Sequence, residues 1–167
     1  DPAADYPAAA LGLGATIHTS DRKIPAEKYF TGMFSTALKG SEIVTAVEFP
    51  VPKKSGYAKF PNPASLYAMV GVFVAQLADG SVRVAVTGAG PGVFRAPELE
   101  AALAKNFSAK ALDGIAVKAK GLNIGVTLAF NTVGYASQNL LFDLADSLFG
   151  LGLADLDPAQ VRAQIIG

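Results

Sequence analysis

Apolar and polar positions along this chain change their period repeatedly, and the changes mark out its elements. Pro7 to Leu13 is apolar and alanine-rich, which predicts a short helix, with Asp5 placed to cap it and Pro7 tolerated in its first turn. Gly12 and Gly14 end that helix. Ala15-Thr-Ile-His-Thr19 then reads as a strand, Ser20-Asp-Arg as a turn, and Pro25 to Phe30 as a single helical turn. From Glu42 to Pro50, Ile43, Thr45, Val47 and Phe49 alternate with Val44, Ala46 and Glu48, the period-two pattern of a half-buried strand. Pro50 and Pro52 stop it.

A short extended segment from Tyr57 to Phe60 precedes a kink at Pro61-Asn-Pro63. Ala68 to Leu77 is almost wholly apolar and β-rich, and Ser81 to Thr87 alternates Val82, Val84 and Val86 with Arg83, Ala85 and Thr87. Asp79-Gly80 between them is the strongest hairpin signal in the chain. Gly88 to Gly92 is a loop, Pro97 to Lys105 an amphipathic helix, and Ser108 caps a further short one reaching Ala111 or Leu112. Glu98, Glu100 and Asp113 read as solvated helix faces.

The last quarter has a different texture. Ile124 to Phe142 holds no charge, yet Asn131, Ser137, Gln138 and Asn139 argue against a membrane span. A buried or interface helix from about Tyr135 to Phe149 is the expectation, with Leu140, Leu141, Leu144 and Leu148 on one face. Asp157-Pro158 starts a final helix.

Composition narrows the partners. The 167 residues are 51% hydrophobic and only 17% charged, which favours a subunit with buried interfaces. Fourteen basic and fourteen acidic side chains cancel, which argues against nucleic acid as a partner, since phosphate binding needs a basic face. With no cysteine, the chain holds neither thiolate-ligated iron–sulfur clusters nor disulfides, which suits a cytoplasmic protein. The single histidine, His18, cannot build a metal site alone and reads as a surface or satisfied residue. The opening residues do not have the form of a signal peptide, and a start at Asp1 rather than Met reads as a fragment or a processed chain. Gly88-Ala-Gly-Pro-Gly92 lacks the Lys-Ser/Thr of a phosphate loop and the strand–helix setting of a dinucleotide fingerprint.

Three blocks carry a resemblance: Asp1-Pro-Ala-Ala-Asp5-Tyr-Pro-Ala, Lys59-Phe-Pro-Asn-Pro-Ala-Ser-Leu-Tyr67, and Val84-Ala-Val-Thr-Gly-Ala-Gly-Pro-Gly-Val-Phe-Arg95. In this order they resemble the FAD-carrying medium subunit of the molybdenum hydroxylases, of the carbon monoxide dehydrogenase type. The resemblance runs from Asp1 to about Asn123 and covers the later part of that family's subunit. It implies an α+β fold, the C-terminal portion of an FAD-binding domain over residues 1–52 followed by a small antiparallel-sheet-plus-helices domain over 57–121. Residues 122–167 fall outside the resemblance and are expected to form an unfamiliar apolar helical tail.

The same resemblance implies four cofactor contacts. Asp5 would accept hydrogen bonds from cofactor hydroxyls, a role that coexists with capping. Lys59 would place a cation at the N1–C2 edge of the flavin, Tyr67 would lie against the ring system, and Val44 would contribute a main-chain contact. Leu66 stands where the family usually has arginine. The family's two glycine-rich loops, which look like Ala-Gly-Gly-His-Ser and Thr-Ile-Gly-Gly, do not occur in this sequence, so the FAD site is incomplete in this chain. No residue is expected to act as a catalytic acid or base, and no metal site is expected here. Molybdopterin would sit in a large partner subunit and 2Fe-2S clusters in a small one. Electrons would pass from those clusters through FAD to an external acceptor. The alternative is a non-catalytic structural or interaction domain with a vestigial flavin site.

Overall fold

A computed structural model describes residues 1–62, 64–113 and 115. The helix expected from Tyr135 to Phe149, its leucine stripe and the helix start at Asp157 lie outside the described residues. Helix α1 (Asp5–Leu13) leads into β1 (Thr16–Thr19), β2 (Lys23–Pro25), the single-turn α2 (Ala26–Tyr29), β3 (Phe30–Gly32), β4 (Ser35–Thr36) and β5 (Val44–Glu48). Then follow β6 (Lys54–Pro61), β7 (Ala68–Gln76), β8 (Val82–Thr87), β9 (Phe94–Arg95), α3 (Pro97–Lys105) and a 3-10 turn, Ala109–Leu112. All strand pairs described are antiparallel, in the orders β2-β1-β5, β3-β4 and β6-β7-β8-β9. The α+β class expected from the sequence is the one observed.

The larger sheet is the centre of the described fold. Val82, Val84 and Val86 of β8 share one face with Val70, Val72 and Val74 of β7, and Leu99 and Leu103 of α3 close that core. The opposite face presents Phe73, Ala75 and Ala85, on which α1 lies with Ala8, Ala10 and Leu11. Strand β7 is therefore covered on both sides, which is why its sequence is a continuous apolar run rather than an alternation. The helices expected on one side of this sheet are α3 and the 3-10 turn; α1 supplies the second layer.

The β7–β8 hairpin forms as expected, with Gln76 opposite Val82. Its loop is wider than a two-residue turn: Gly80 N–H donates to the Leu77 carbonyl at 3.0 Å and Leu77 N–H to that of Ser81 at 2.8 Å. Gly80 takes φ +85° whereas Asp79 does not enter the positive region, so the glycine alone supplies the reversal. Asp79 accepts the Ser81 amide at 2.9 Å and pins the turn.

Other expectations are corrected. Asp5 does not cap α1: Ala4 holds the N-cap position without any side-chain cap bond, and Asp5 is the first helical residue. Its carboxylate is drawn instead to donors on β6, while its charge still favours the helix start. Gly14, at φ +67°, ends the helix, and Gly12 lies within it. Strand β5 is exposed along its whole length rather than half-buried, because among the described residues it is an edge strand paired only with β1. Glu100 is not solvated: it forms an ion pair with Arg95 and accepts the Val84 amide at 2.9 Å. Ser108 holds the N-cap position of the 3-10 turn, but its buried hydroxyl makes no cap bond. Strand β6 begins at Lys54, earlier than the Tyr57 expected, because it pairs with β7 along its full length.

Candidate functional site

Strand β6 positions the site through its period of two. Tyr57 and Lys59 point to the same face, with Phe73 and Gly71 as their partners on β7. That face is the one α1 crosses, so both side chains meet the first turn of the helix. The Tyr57 hydroxyl donates to Asp5 Oδ1 at 2.6 Å, and the Lys59 amine donates to Asp5 Oδ2 at 2.8 Å.

Each carboxylate oxygen thus holds one donor. Partial burial acts to raise the Asp5 carboxyl, but the hydrogen bonds from Lys59 and Tyr57 and the lysine charge outweigh it and hold the group below its usual value. Burial, and then the adjacent carboxylate, push the Tyr57 phenol upward, so it remains a neutral donor. The Asp5 side chain is 45% exposed and that of Lys59 29%, so the pair faces solvent on one side.

The segment before Asp5 is fastened from beneath. The buried Thr87 hydroxyl lies 2.8 Å from the Ala4 carbonyl and 3.0 Å from that of Pro2. Gly88 N–H donates to Pro2 at 2.7 Å, and Ala68 N–H to Ala3 at 3.3 Å. The glycine-rich loop after β8, unsuited to phosphate, is therefore a clasp for the chain that enters α1.

Opposite lies the β6–β7 loop. Asn62 Oδ1 accepts the amides of Ala64 at 2.9 Å and Ser65 at 3.1 Å, and Asn62 N–H donates to Tyr67 at 2.7 Å. The turn carries Leu66 in the left-handed region at φ +62°. Between this loop and the start of α1 opens a cleft of about 410 Å³, lined by Ala3, Ala4, Asp5, Tyr6, Ser65, Leu66 and Tyr67. Tyr67 is 52% exposed there.

The structure thus brings Asp5 and Lys59 into contact and places Asp5 and Tyr67 on one cleft, which Lys59 itself does not line. Val44 is elsewhere: it pairs with Thr19 on β5, is 41% exposed, and does not line this cleft. Tyr57 had no role assigned from the sequence, although its spacing of two from Lys59 puts both on one strand face. His18 is satisfied by Glu48, with Nε2 2.8 Å from Oε2. Among the described residues no group of three or more potential ligands could hold a metal ion, and no helix is long and apolar enough to cross a membrane.

The arrangement suits a ligand rich in hydroxyls. A carboxylate offers about four lone-pair sites, and two on Asp5 are taken by Tyr57 and Lys59, which leaves acceptors on the exposed side. Lys59 spends one donor on Asp5 and keeps others for a carbonyl or an anion.

Comparison with known proteins points the same way. Residues 1–52 match the family described as the FAD binding domain in molybdopterin dehydrogenase. The nicotine 6-hydroxylase medium subunit of Paenarthrobacter nicotinovorans is 32% identical over 109 residues, which are 60% of this chain and 38% of that protein. In fold, the chain resembles quinoline 2-oxidoreductase from Pseudomonas putida 86, with TM-score 0.65 and 20% identity over 88% of this chain and 57% of that one. It likewise resembles carbon monoxide dehydrogenase from Oligotropha carboxidovorans, with TM-score 0.63 and 22% identity over 89% of this chain and 58% of that one. The chain thus spans well under two thirds of the length of these relatives. Residues 1–52 are thus similar to the FAD-binding domain of molybdopterin dehydrogenases, 109 residues are similar to one molybdenum-hydroxylase medium subunit, and the fold is shared with carbon monoxide dehydrogenase.

Proposed function

We propose that this chain supplies part of an FAD site within the medium subunit of a molybdenum hydroxylase, between a molybdopterin-bearing large subunit and an iron–sulfur small subunit. The observation that carries this is the Asp5 carboxylate, held by Tyr57 and Lys59 at the edge of the cleft that Tyr67 lines. When bound, FAD supplies the redox chemistry, taking electrons from the clusters and delivering them to an external acceptor.

The chain's own residues bind and orient. Asp5 accepts hydroxyls of the cofactor, Lys59 keeps a positive charge beside it, and Tyr67 offers an aromatic face on the cleft wall. Lys59 also favours any ligand edge that gains negative charge. The family's two glycine-rich loops are absent from these 167 residues, so amides for the diphosphate come from outside them. The domain division at 52–57 belongs to the same proposal, although α1 already packs on the sheet that follows it.

Partner subunits are supported by the surface of β5 and its flanks. Ile43, Val44, Val47, Phe49 and Val51 are all exposed, an apolar strip on an edge strand that a covering subunit would bury. A cytoplasmic setting belongs to the same proposal, and a chain without cysteine is compatible with it.

The test is whether the purified protein, alone and co-expressed with its neighbouring subunits, is yellow and keeps flavin absorbance through gel filtration. Retention that is lost in Asp5→Asn supports the proposal. A colourless assembly that takes up no added FAD favours instead a structural domain with a vestigial site.

A further inference from the structure

The cross-strand neighbour of Lys59 is Gly71, and the neighbour of Gly71 on the next strand is Thr87. A Cβ at position 71 would overlap the Tyr57 hydroxyl, would lie 2.9 Å from Tyr57 Cζ, and would lie 2.9 Å from Thr87 Cγ2. The Tyr57 ring therefore leans diagonally across β7 through space that any side chain at 71 would fill. Only by that path does the phenol reach Oδ1 of Asp5, 52 residues away in sequence. Phe73, the direct partner of Tyr57, lies with its ring centroid 6.4 Å from that of the tyrosine and supports it from the other side.

We propose that Tyr57 is a positioning residue for the cofactor site, fixing the plane of the Asp5 carboxylate through a gap kept open by Gly71. Two donors on two oxygens define that plane; one donor leaves the group free to rotate about the remaining bond. The acceptors that Asp5 presents to the cleft keep their direction only while both Tyr57 and Lys59 are bound. Tyrosine suits the task better than a second cation, because it donates without cancelling the carboxylate charge. The ligand class this orientation serves is a polyol or sugar hydroxyl. That assignment of ligand rests on the FAD reading above, whereas the link from Gly71 through Tyr57 to Asp5 does not.

The experiment uses the full chain and the variants Tyr57→Phe, Gly71→Ala and the double variant, with Ser81→Ala in the distant hairpin as control. Three quantities are read: the Asp5 carboxyl titration by NMR of carbon-labelled protein, the dissociation constant for FAD of the assembly co-expressed with its neighbouring subunits by flavin fluorescence, and the thermal midpoint. Tyr57→Phe should raise the Asp5 titration toward an ordinary carboxylate value and weaken FAD roughly tenfold, the loss of about one hydrogen bond. Gly71→Ala should reproduce both changes, and the double variant should add nothing to Tyr57→Phe. Because a purely structural role would shift the midpoint without this pattern, the non-additive pair is decisive. An Asp5 titration that is unmoved in Tyr57→Phe and in Gly71→Ala overturns the positioning role. If the Asp5 titration moves as stated while no co-expressed assembly binds FAD, the positioning role stands and the flavin reading falls. Should Tyr57→Phe not fold, Gly71→Ala read against Ser81→Ala decides the matter by the same titration.

Discussion

Lys59 Nζ lies 2.8 Å from Oδ2 of Asp5, joining β6 to the first turn of α1 across 54 residues of chain. This contact does two things at once. It fastens the helix to the sheet, and it sets a cation beside the carboxylate at the edge of the cleft.

Lys59→Ala separates the two roles. The pair is partly exposed, so its loss should lower stability by about 0.5–1 kcal/mol, measured by chemical denaturation. In the flavin-loaded assembly the same change should lower the reduction potential, because a cation that favours the reduced, more negative ring has gone. Equal potentials in a redox titration of wild type and variant would make Lys59 only a fastening for α1.

Thr87→Val tests the clasp beneath the site. Valine keeps the shape of this fully buried side chain but removes the hydroxyl that meets the carbonyls of Pro2 and Ala4. Losing a part-buried hydroxyl–carbonyl hydrogen bond of this kind costs about 0.5–1.5 kcal/mol. Hydrogen exchange should show Ala4 and the first turn of α1 losing protection before the β7–β8 hairpin does. Unchanged exchange there would assign the anchoring to the Gly88 and Ala68 amides.

Leu99→Ala probes the opposite face of the sheet. Leu99 is fully buried among the valines of β7 and β8, and its truncation should cost about 2–5 kcal/mol in denaturant unfolding. FAD binding at native temperature should be unaffected, since α3 and the cleft lie on different faces. Loss of cofactor in a variant that remains folded would show that the two layers are coupled.

Acid sensitivity should concentrate at Glu42. Hydrogen bonds from Arg22 and then Thr19, opposed by burial and aided by the Lys39 amide, hold its carboxyl down to about 2. A carboxyl depressed on folding binds fewer protons in the native state, so its contribution is present above the ordinary value of 4.5 and lost as pH falls toward 2. Stability measured across that window should fall less steeply in Glu42→Gln, although the variant is weaker at neutral pH. Parallel profiles would mean that other carboxylates govern acid unfolding.

Local pattern was enough to place many of the elements. Pro97 at the start of α3, the alternation of Val82, Val84 and Val86, and the glycine at position 80 each act within a few residues. Backbone sterics and side-chain period decide such features, and both are written in the immediate sequence. The three resembling blocks likewise identified the relatives from residues alone. Tertiary structure decided everything that depends on which surfaces meet. Asp5 has the sequence of a helix cap, yet its carboxylate turns to Tyr57 and Lys59, because α1 lies across the face of β6 and β7 where charged and phenolic donors wait. Glu100 has the spacing of a solvated helix face, yet Arg95 and the Val84 amide lie within its reach once α3 packs on β8. The alternation in β5 promised one buried face, but its edge position leaves both sides exposed among the described residues. Residue type and spacing fix what each segment can form and which donors it carries. The fold alone sets which of those donors come within 3 Å of one another, because contacts between residues more than fifty positions apart leave no periodic trace in the chain.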